Sequence, residues 1–413
     1  MESLETICSY RNEKASAASI TTEDLYVSTE SMGPNRGGVS RAASVPSEGK
    51  VSCFRKGDTL VSNIRPYFKK IWKADLDGYC SNDVLIFQPG QRCSADYLYW
   101  LLCGDAFFDY VMATSKGTKM PRGDKSAIMS YAIPSNSEMA QRNITSILNP
   151  IQAKIEMNAK LNGYLAAICE TISSELCQDI DGELKELCSL VTDKSDCKNA
   201  ILETYVSTES LLPGKSGRQF AGSVPTTGKV SVFKSGDTLV SNIRPYFKKI
   251  WYASEDGTCS SDVLVFRAFN PDEAPYLNAC LRQDRFFDYV MRGAKGTKMP
   301  RGDKKQIMGF PIARSCDAGD LTVLSGLVKQ MTRNEIESHR LTELRDVLLP
   351  KLMSGEIDVS RVDLTQLNSH LAADLSNWYW YRVVNRHIRQ VETETWLCAP
   401  WLFLPLTLFR SRI

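Results

Sequence analysis

Histidine is scarce in this chain: 413 residues hold only three. That removes the commonest general base and the commonest zinc ligand from most of the sequence. The thirteen cysteines do not fill the gap, because no two of them form a CxxC pair. Zinc needs four converging ligands at short spacings, and no such set is visible. Free thiols in this number fit a reducing cytoplasm. No run reaches the roughly 18 apolar residues that span a bilayer. The nearest, 396–409, is broken by Pro400 and Pro405. Met1-Glu2-Ser3-Leu4-Glu5 lacks the charged-then-apolar start of a secretory signal, so a cytoplasmic location without membrane attachment is expected. Also missing are a Gly-rich nucleotide fingerprint and any Asn-Pro-Pro-aromatic or Asp-Pro-Pro-aromatic motif for amino-methyl transfer. The formal charge of +2 does not by itself predict a nucleic-acid partner. Such contact would rest on local clusters, acting within a Debye length of about 8–10 Å.

What the chain does have, it has twice. Residues 26–125 align with 205–304 at a constant offset of 179, and roughly 63 of those 100 positions are identical. The run Val61-Ser62-Asn63-Ile64-Arg65-Pro66-Tyr67-Phe68-Lys69-Lys70-Ile71-Trp72 returns unchanged from Val240 to Trp251. The run from Lys116 to Lys125 returns as Lys295 to Lys304. Around Leu4 and Leu184 the likeness reaches further back, with a one-residue slip. A single-pocket enzyme has no need of a second copy. Two similar surfaces suit a two-part target.

After each copy the texture changes. Apolar residues at Ile144, Leu148, Ile151, Ile155, Leu161, Leu165, Ile168 and Ile172 fall in steps of three or four, apart from one longer gap. That is the period of an amphipathic helix, here about 35 residues and roughly 52 Å long. Leu324, Leu327, Val328, Met331, Leu341, Leu344, Leu348 and Leu352 mark a second helix ending near Ser354, which Pro350 should kink or stop unless packing compensates. Two such helices can lie antiparallel with their stripes facing. Inside the repeat, runs 51–54, 59–64, 68–72 and 84–87 read as strands, and 97–112 reads as helix. The expected fold is therefore α+β, with two strand-rich domains separated by two long antiparallel helices in pseudo-two-fold symmetry. The divisions fall at 1–138, 139–178, 179–316 and 317–358, followed by a C-terminal extension at 359–413. That extension holds four of the seven tryptophans, including Trp378 and Trp380, and belongs to neither repeat.

Two clusters per copy suit a phosphate backbone. The first is Asn63, Arg65, Lys69 and Lys70, with Lys73 nearby; its twin is Asn242, Arg244, Lys248 and Lys249. The second is Lys116, Lys119, Arg122 and Lys125, with twins Lys295, Lys298, Arg301 and Lys304. There Gly117 and Gly123 allow close approach, and backbone N–H groups can join the cations on phosphate oxygens. The divergent stretches 32–43, 73–79 and 89–106, with their counterparts, are candidates to read base edges.

Other patterns carry less. Arg122-Gly123-Asp124 spells an adhesion tripeptide by coincidence. Gly214-Lys215-Ser216 resembles the end of a P-loop, but Glu209 stands where a glycine is required. Cys80 and Cys259 read as small buried residues at a strand start. Asp58, Asp83, Asp237 and Asp262 have no histidine partner within the repeat, which favours turn and cap roles.

The order domain, helix, domain, helix, with the run around Arg65, the run Cys80-Ser81-Asn82-Asp83-Val84-Leu85 and the loop from Lys116 to Lys125, resembles the specificity subunit of type I restriction-modification systems. Leu344-Arg345-Asp346-Val347-Leu348-Leu349-Pro350 is similar to that family's distal conserved region, and Lys154-Ile155-Glu156-Met157-Asn158 to its central one. The resemblance covers about residues 4–358. It implies two target-recognition domains reading the halves of a split double-stranded DNA sequence, with the helices fixing the gap. It also implies docking of two methyltransferase subunits and of motor-nuclease subunits. S-adenosylmethionine would sit on the methyltransferase, leaving this chain with no cofactor, no metal and no catalytic residue. A self-contained DNA-modifying enzyme with an unrecognised site and a protein-only scaffold remain the alternatives.

Overall fold

The computed structural model describes residues 1–359, apart from positions 22, 43, 177–179 and 315. The tryptophan-rich C-terminal stretch lies outside the described residues. The chain divides into two units: Met1–Ile151 with the segment from Arg345, and Gln152–Leu344. Both boundaries fall inside the long helices, Glu138–Leu176 and Ala318–Ser354. Each unit thus holds one copy of the repeat and a length of each helix.

The four runs rich in β-branched and aromatic residues each hold a strand, and four further short strands that the pattern did not reveal join them in two four-stranded sheets per copy. In the first unit, one sheet has the order Cys8–Tyr10, Val84–Pro89, Thr59–Ser62, Ile71–Lys73, antiparallel throughout. The other has the order Lys14–Ser16, Lys50–Phe54, Gly78–Cys80, Tyr26–Val27, and its last pair is parallel. The second unit repeats both, from Cys188–Leu190 and Lys194–Asp196 onward. The short pair Glu2–Ser3 and Ala132–Ile133 recurs as Gly182–Glu183 and Pro311–Ile312, which bears out the backward extension of the repeat.

Three local expectations need correction. The 68–72 strand begins only at Ile71, because Pro66–Phe68 forms a 3-10 turn. The 97–112 helix is two, Ala95–Cys103 and Asp105–Ala113, broken where Gly104 takes ψ 143°. Gln283 breaks the second copy at ψ 142°, so glycine is not the cause. Cys80 ends its strand rather than starting it, and burial pushes its thiol up to about 12, as for Cys259. Both are small core residues.

In the first unit the central helix buries Ile144, Ile147, Leu148 and Ile151, three of them in one core with Phe87, Trp100, Phe107 and Leu349 and Leu352 of the distal helix. In the second, Leu165, Cys169 and Ile172 share a core with Phe266, Phe286, Leu324, Leu327 and Val328. The distal helix continues through Pro350 to Ser354. Leu348, Leu349, Leu352 and Met353 all pack into the first core, and that packing outweighs the hydrogen bond the proline removes.

The apolar stripe does not run unbroken. Within the second unit, Asn158 Nδ2 donates to Glu337 at 2.8 Å, Asn334 Nδ2 to Asn162 Oδ1 at 2.7 Å, and Asn162 Nδ2 to the Met331 carbonyl at 3.1 Å. Asn158 and Asn334 are buried, while Leu161, expected in the seam, faces solvent. These contacts run in opposite directions along the two helices, which are antiparallel here. Buried asparagines of this kind select one register.

Candidate nucleic-acid interface

The turn bearing the first basic cluster is held in a costly shape. Arg65 and Lys69 adopt left-handed backbone at φ 50° and 49°, and Arg244 and Lys248 do so at 51° each. For residues with a Cβ that conformation costs on the order of 1–2 kcal/mol, so the surroundings must impose it. Neighbouring segments do. Asn35 N–H donates to the Phe68 carbonyl at 2.8 Å and Arg36 N–H to that of Lys69 at 2.9 Å. Arg65 N–H donates to the Pro121 carbonyl at 2.9 Å. In the second copy Gly214, Lys215 and Arg244 make the same bonds to Phe247, Lys248 and Pro300, at 2.9, 2.9 and 2.8 Å.

The two basic clusters, separate in sequence, therefore meet. Ile64 pairs with Arg122, and Lys116 pairs with Arg122 across the tip of the second loop. Gly117 turns that tip at φ 92°. Gly123 permits the approach, since a Cβ there would lie 2.8 Å from both Asn63 Oδ1 and Val111 Cγ1. Asn63 and Asn242 consequently turn their Oδ1 atoms inward, where they are buried, rather than toward a ligand.

The cations divide into two groups. Arg65, Lys116, Lys119, Arg122 and Lys125 are exposed, as are Lys295, Lys298, Arg301 and Lys304 of the second copy; Arg244 is half-buried. Carboxylates moderate them. Asp83 meets Arg122 at 3.2 Å and Asp262 meets Arg301 at 3.1 Å, so these aspartates do more than cap turns. Asp124 pairs with Lys116, which lowers its carboxyl below the ordinary value. Asp58 and Asp237 play the expected turn role, each accepting a backbone N–H three residues back and a guanidinium from Arg11 or Arg267.

The second group is committed to the fold. Lys70 Nζ donates to the Thr29 carbonyl at 2.7 Å and Lys249 Nζ to that of Thr208 at 2.7 Å, and burial lowers both lysines. Lys69 reaches Asp105 at 2.7 Å and Lys248 reaches Asp284 at 2.9 Å. Burial opposes ionisation of Asp105, but hydrogen bonds from Lys69 and Arg36 outweigh it and keep its carboxyl low. This explains the helix break: it sets a carboxylate at a helix start, facing the turn. Lys73 leaves the cluster altogether, pairing with Asp96, which in turn accepts from Asn149 on the central helix.

Of the divergent stretches, the hairpin at 33–38 lies against the basic turn through backbone bonds, and 89–106 reaches it through Asp105. The middle of 89–106 is core: Tyr97, Leu98, Trp100, Leu102 and Cys103 are buried and cannot reach a base edge. Stretch 73–79 closes a turn in which Asp77 binds Arg55 and the Lys56 N–H. Lys215, in the P-loop-like string, pairs with Glu170 and Asp284. The role of Arg36 and Lys215 in docking the hairpin was not anticipated. The only signal for it in sequence is a cation at the same place in both copies.

No family model matches the chain. Over 149 residues, 35% of its length, it is 26% identical to the specificity subunit of the type I restriction enzyme HindI of Haemophilus influenzae. This chain resembles a type I restriction-modification specificity subunit. The match spans about a third, 32%, of that curated relative. Among solved structures, the S subunit of a type I restriction-modification system from M. genitalium aligns over 85% of this chain and 95% of its own, at TM-score 0.47 and 13% identity. The HsdS subunit from Thermoanaerobacter tengcongensis aligns over 86% and 96%, at TM-score 0.34 and 17% identity. Among the described residues no helix is long and apolar enough to cross a membrane, and no group of three or more His, Cys, Asp or Glu residues is placed to hold a metal.

Proposed function

We infer that this chain is the sequence-reading, non-catalytic subunit of a type I restriction-modification complex. Its recognition domains, placed at 1–138 and 179–316, each take one half of a split double-stranded DNA target. The observation that carries this reading is the recurrence of one braced, cation-lined turn in both copies, on a chain similar to a specificity subunit. Arg65, Lys119, Arg122 and Lys125, with Arg244, Lys298, Arg301 and Lys304, are the phosphate contacts; the hairpins at 33–38 and 212–217 supply what differs between the half-sites. Phosphate contacts position a protein and base contacts specify.

Methyltransferase subunits bring S-adenosylmethionine and the transfer chemistry, and motor-nuclease subunits complete the restriction complex. The two helices are the docking surface. They keep Met157, Tyr164, Ile336, Leu344 and Val347 exposed, as an interface in waiting would. The test is reconstitution. Methyltransferase subunits with S-adenosylmethionine should methylate host-sequence DNA only when this chain is added. Methylation without it, or by it alone, would replace the reading with an autonomous enzyme. Binding of the methyltransferase without any DNA binding would make the chain a protein-only scaffold.

A further inference from the structure

The braced turn presents something other than charge. Tyr67 and Phe68 at its apex are 47% and 38% exposed, and Tyr246 and Phe247 are 49% and 41% exposed. In each pair the rings are tilted and adjacent, with centroids 4.6 Å apart in the first copy and 4.7 Å in the second. Two neighbouring aromatic side chains left in water forgo a large burial gain, and here that happens twice in the same pose. The backbone beneath them is among the most heavily constrained in the molecule. Left-handed residues precede and follow the 3-10 turn, Pro66 fixes its start, and bonds to the hairpin and the Pro121 loop hold its carbonyls and amides. A loop that merely connected strands would not need two strained residues to aim its apex.

The charges around the rings indicate what they meet. Exposed Arg65 precedes them in sequence, and its N–H holds the loop that carries Met120, Lys119 and Arg122, while Lys69, which follows them, is already paired with Asp105. Met120 and Met299 are exposed as well. An apolar apex surrounded by cations fits a polyanion with apolar faces inside it, which describes stacked bases between phosphates. A protein partner for this patch would have to be strongly acidic at its rim.

We propose that Tyr67 and Phe68, and separately Tyr246 and Phe247, enter duplex DNA as an aromatic wedge that stacks on a base at an opened step in each half-site. This rests on the DNA-reading function above and assigns the residues that distort the duplex. Arg65 and the loop cations hold the flanking phosphates while the rings replace the lost base–base contact. Inserted apolar side chains unstack and kink DNA in this way elsewhere, and base–aromatic stacking tolerates any base. The wedge therefore sets register and distortion more than sequence.

The experiment uses the complex of the full chain with its methyltransferase subunits. The probe is a duplex carrying the sequence methylated in the host, with 2-aminopurine walked through each half-site. Binding should brighten the probe severalfold at one step in each half. In the Tyr67→Ala/Phe68→Ala double variant the brightening should vanish from one half only, and affinity should fall roughly ten- to a hundredfold, with the salt slope unchanged. The Tyr246→Ala/Phe247→Ala variant should do the same to the other half. Tyr67→Trp should retain the signal, which separates lost stacking from lost folding. A normally binding complex that brightens no position, or a double variant that keeps signal and affinity, overturns the wedge and leaves the DNA reading standing. A double variant that no longer assembles with methyltransferase assigns the rings to a protein contact and also overturns it. A wild-type complex that binds no duplex removes the DNA reading and the wedge together.

Discussion

The indole Nε1 of Trp251 donates to both carboxylate oxygens of Glu335, at 2.8 and 3.0 Å, joining the second domain to the distal helix within one unit. The Arg218 guanidinium lies 4.4 Å from the Trp251 ring and pairs with Glu255, and His339 stacks beside Phe220. The first copy has no such arrangement, because Val39 and Leu76 stand where Arg218 and Glu255 do. Its helix is anchored instead by Trp100 Nε1 donating to Asn149 Oδ1 at 2.7 Å.

Burial pushes the Glu335 carboxyl up to about 7, against the opposing pull of the Trp251 hydrogen bond and nearby Arg218. Below the ordinary value of 4.5 the group is protonated in both folded and unfolded chains and costs nothing. Between 4.5 and about 7 the unfolded chain releases its proton first, so stability falls as pH rises, and above 7 the loss is complete. Glu335→Gln keeps an acceptor for Trp251 without that penalty. The variant should be more stable than the parent at pH 8 by about 1–3 kcal/mol, a gap closing toward pH 5. Urea unfolding at the two pH values measures it. A gap independent of pH would show that Glu335 does not titrate in this range.

Arg122 and Asp83 form an ion pair that is largely open to water, and such pairs contribute little to stability. Arg122 can therefore exchange its carboxylate for a phosphate. Arg122→Ala should weaken binding to every duplex alike and reduce the salt slope by about 0.9, one lost counterion contact. Asp83→Asn should act the other way, strengthening binding to all sequences several-fold at low salt. Filter or fluorescence titrations across a salt series read both. A change in preferred sequence with an unaltered slope would place Arg122 on a base instead.

Asn158 is buried with its amide on Glu337, and Lys154 approaches the same carboxylate at 3.4 Å. Asn158→Ala should cost roughly 1–3 kcal/mol, by leaving Glu337 and its neighbours short of a donor. Asn158→Leu should recover part of that through burial, while loosening the choice of register. Denaturation midpoints give the first effect. Cysteine pairs engineered across the seam in more than one register, cross-linked in the Leu variant and in the parent, give the second.

The repeat, the two long helices and the strand-rich class were legible because long identical strings and a sustained helical period are strong signals. The adjacency of Arg65 and Arg122 was not legible, since it depends on a backbone bond from Arg65 to Pro121 and on the missing Cβ of Gly123. Nor was the inward commitment of Lys70 and Lys249. A lysine bonded to a buried carbonyl reads like any lysine on a surface turn. The break before Asp105 hid behind a continuous helical pattern because its cause is tertiary: Lys69 and Arg36 converge on that carboxylate. The asparagine seam looked like a gap in an apolar stripe, yet its partners lie some 175 residues away along the chain.

The most direct measurement is to map methylated bases across the host genome with and without this gene. The account predicts a split motif whose two halves are similar when read on opposite strands, because the two copies are identical at roughly 63 of 100 aligned positions, and it predicts that methylation there disappears with the gene. Methylation that persists unchanged after deletion would contradict it.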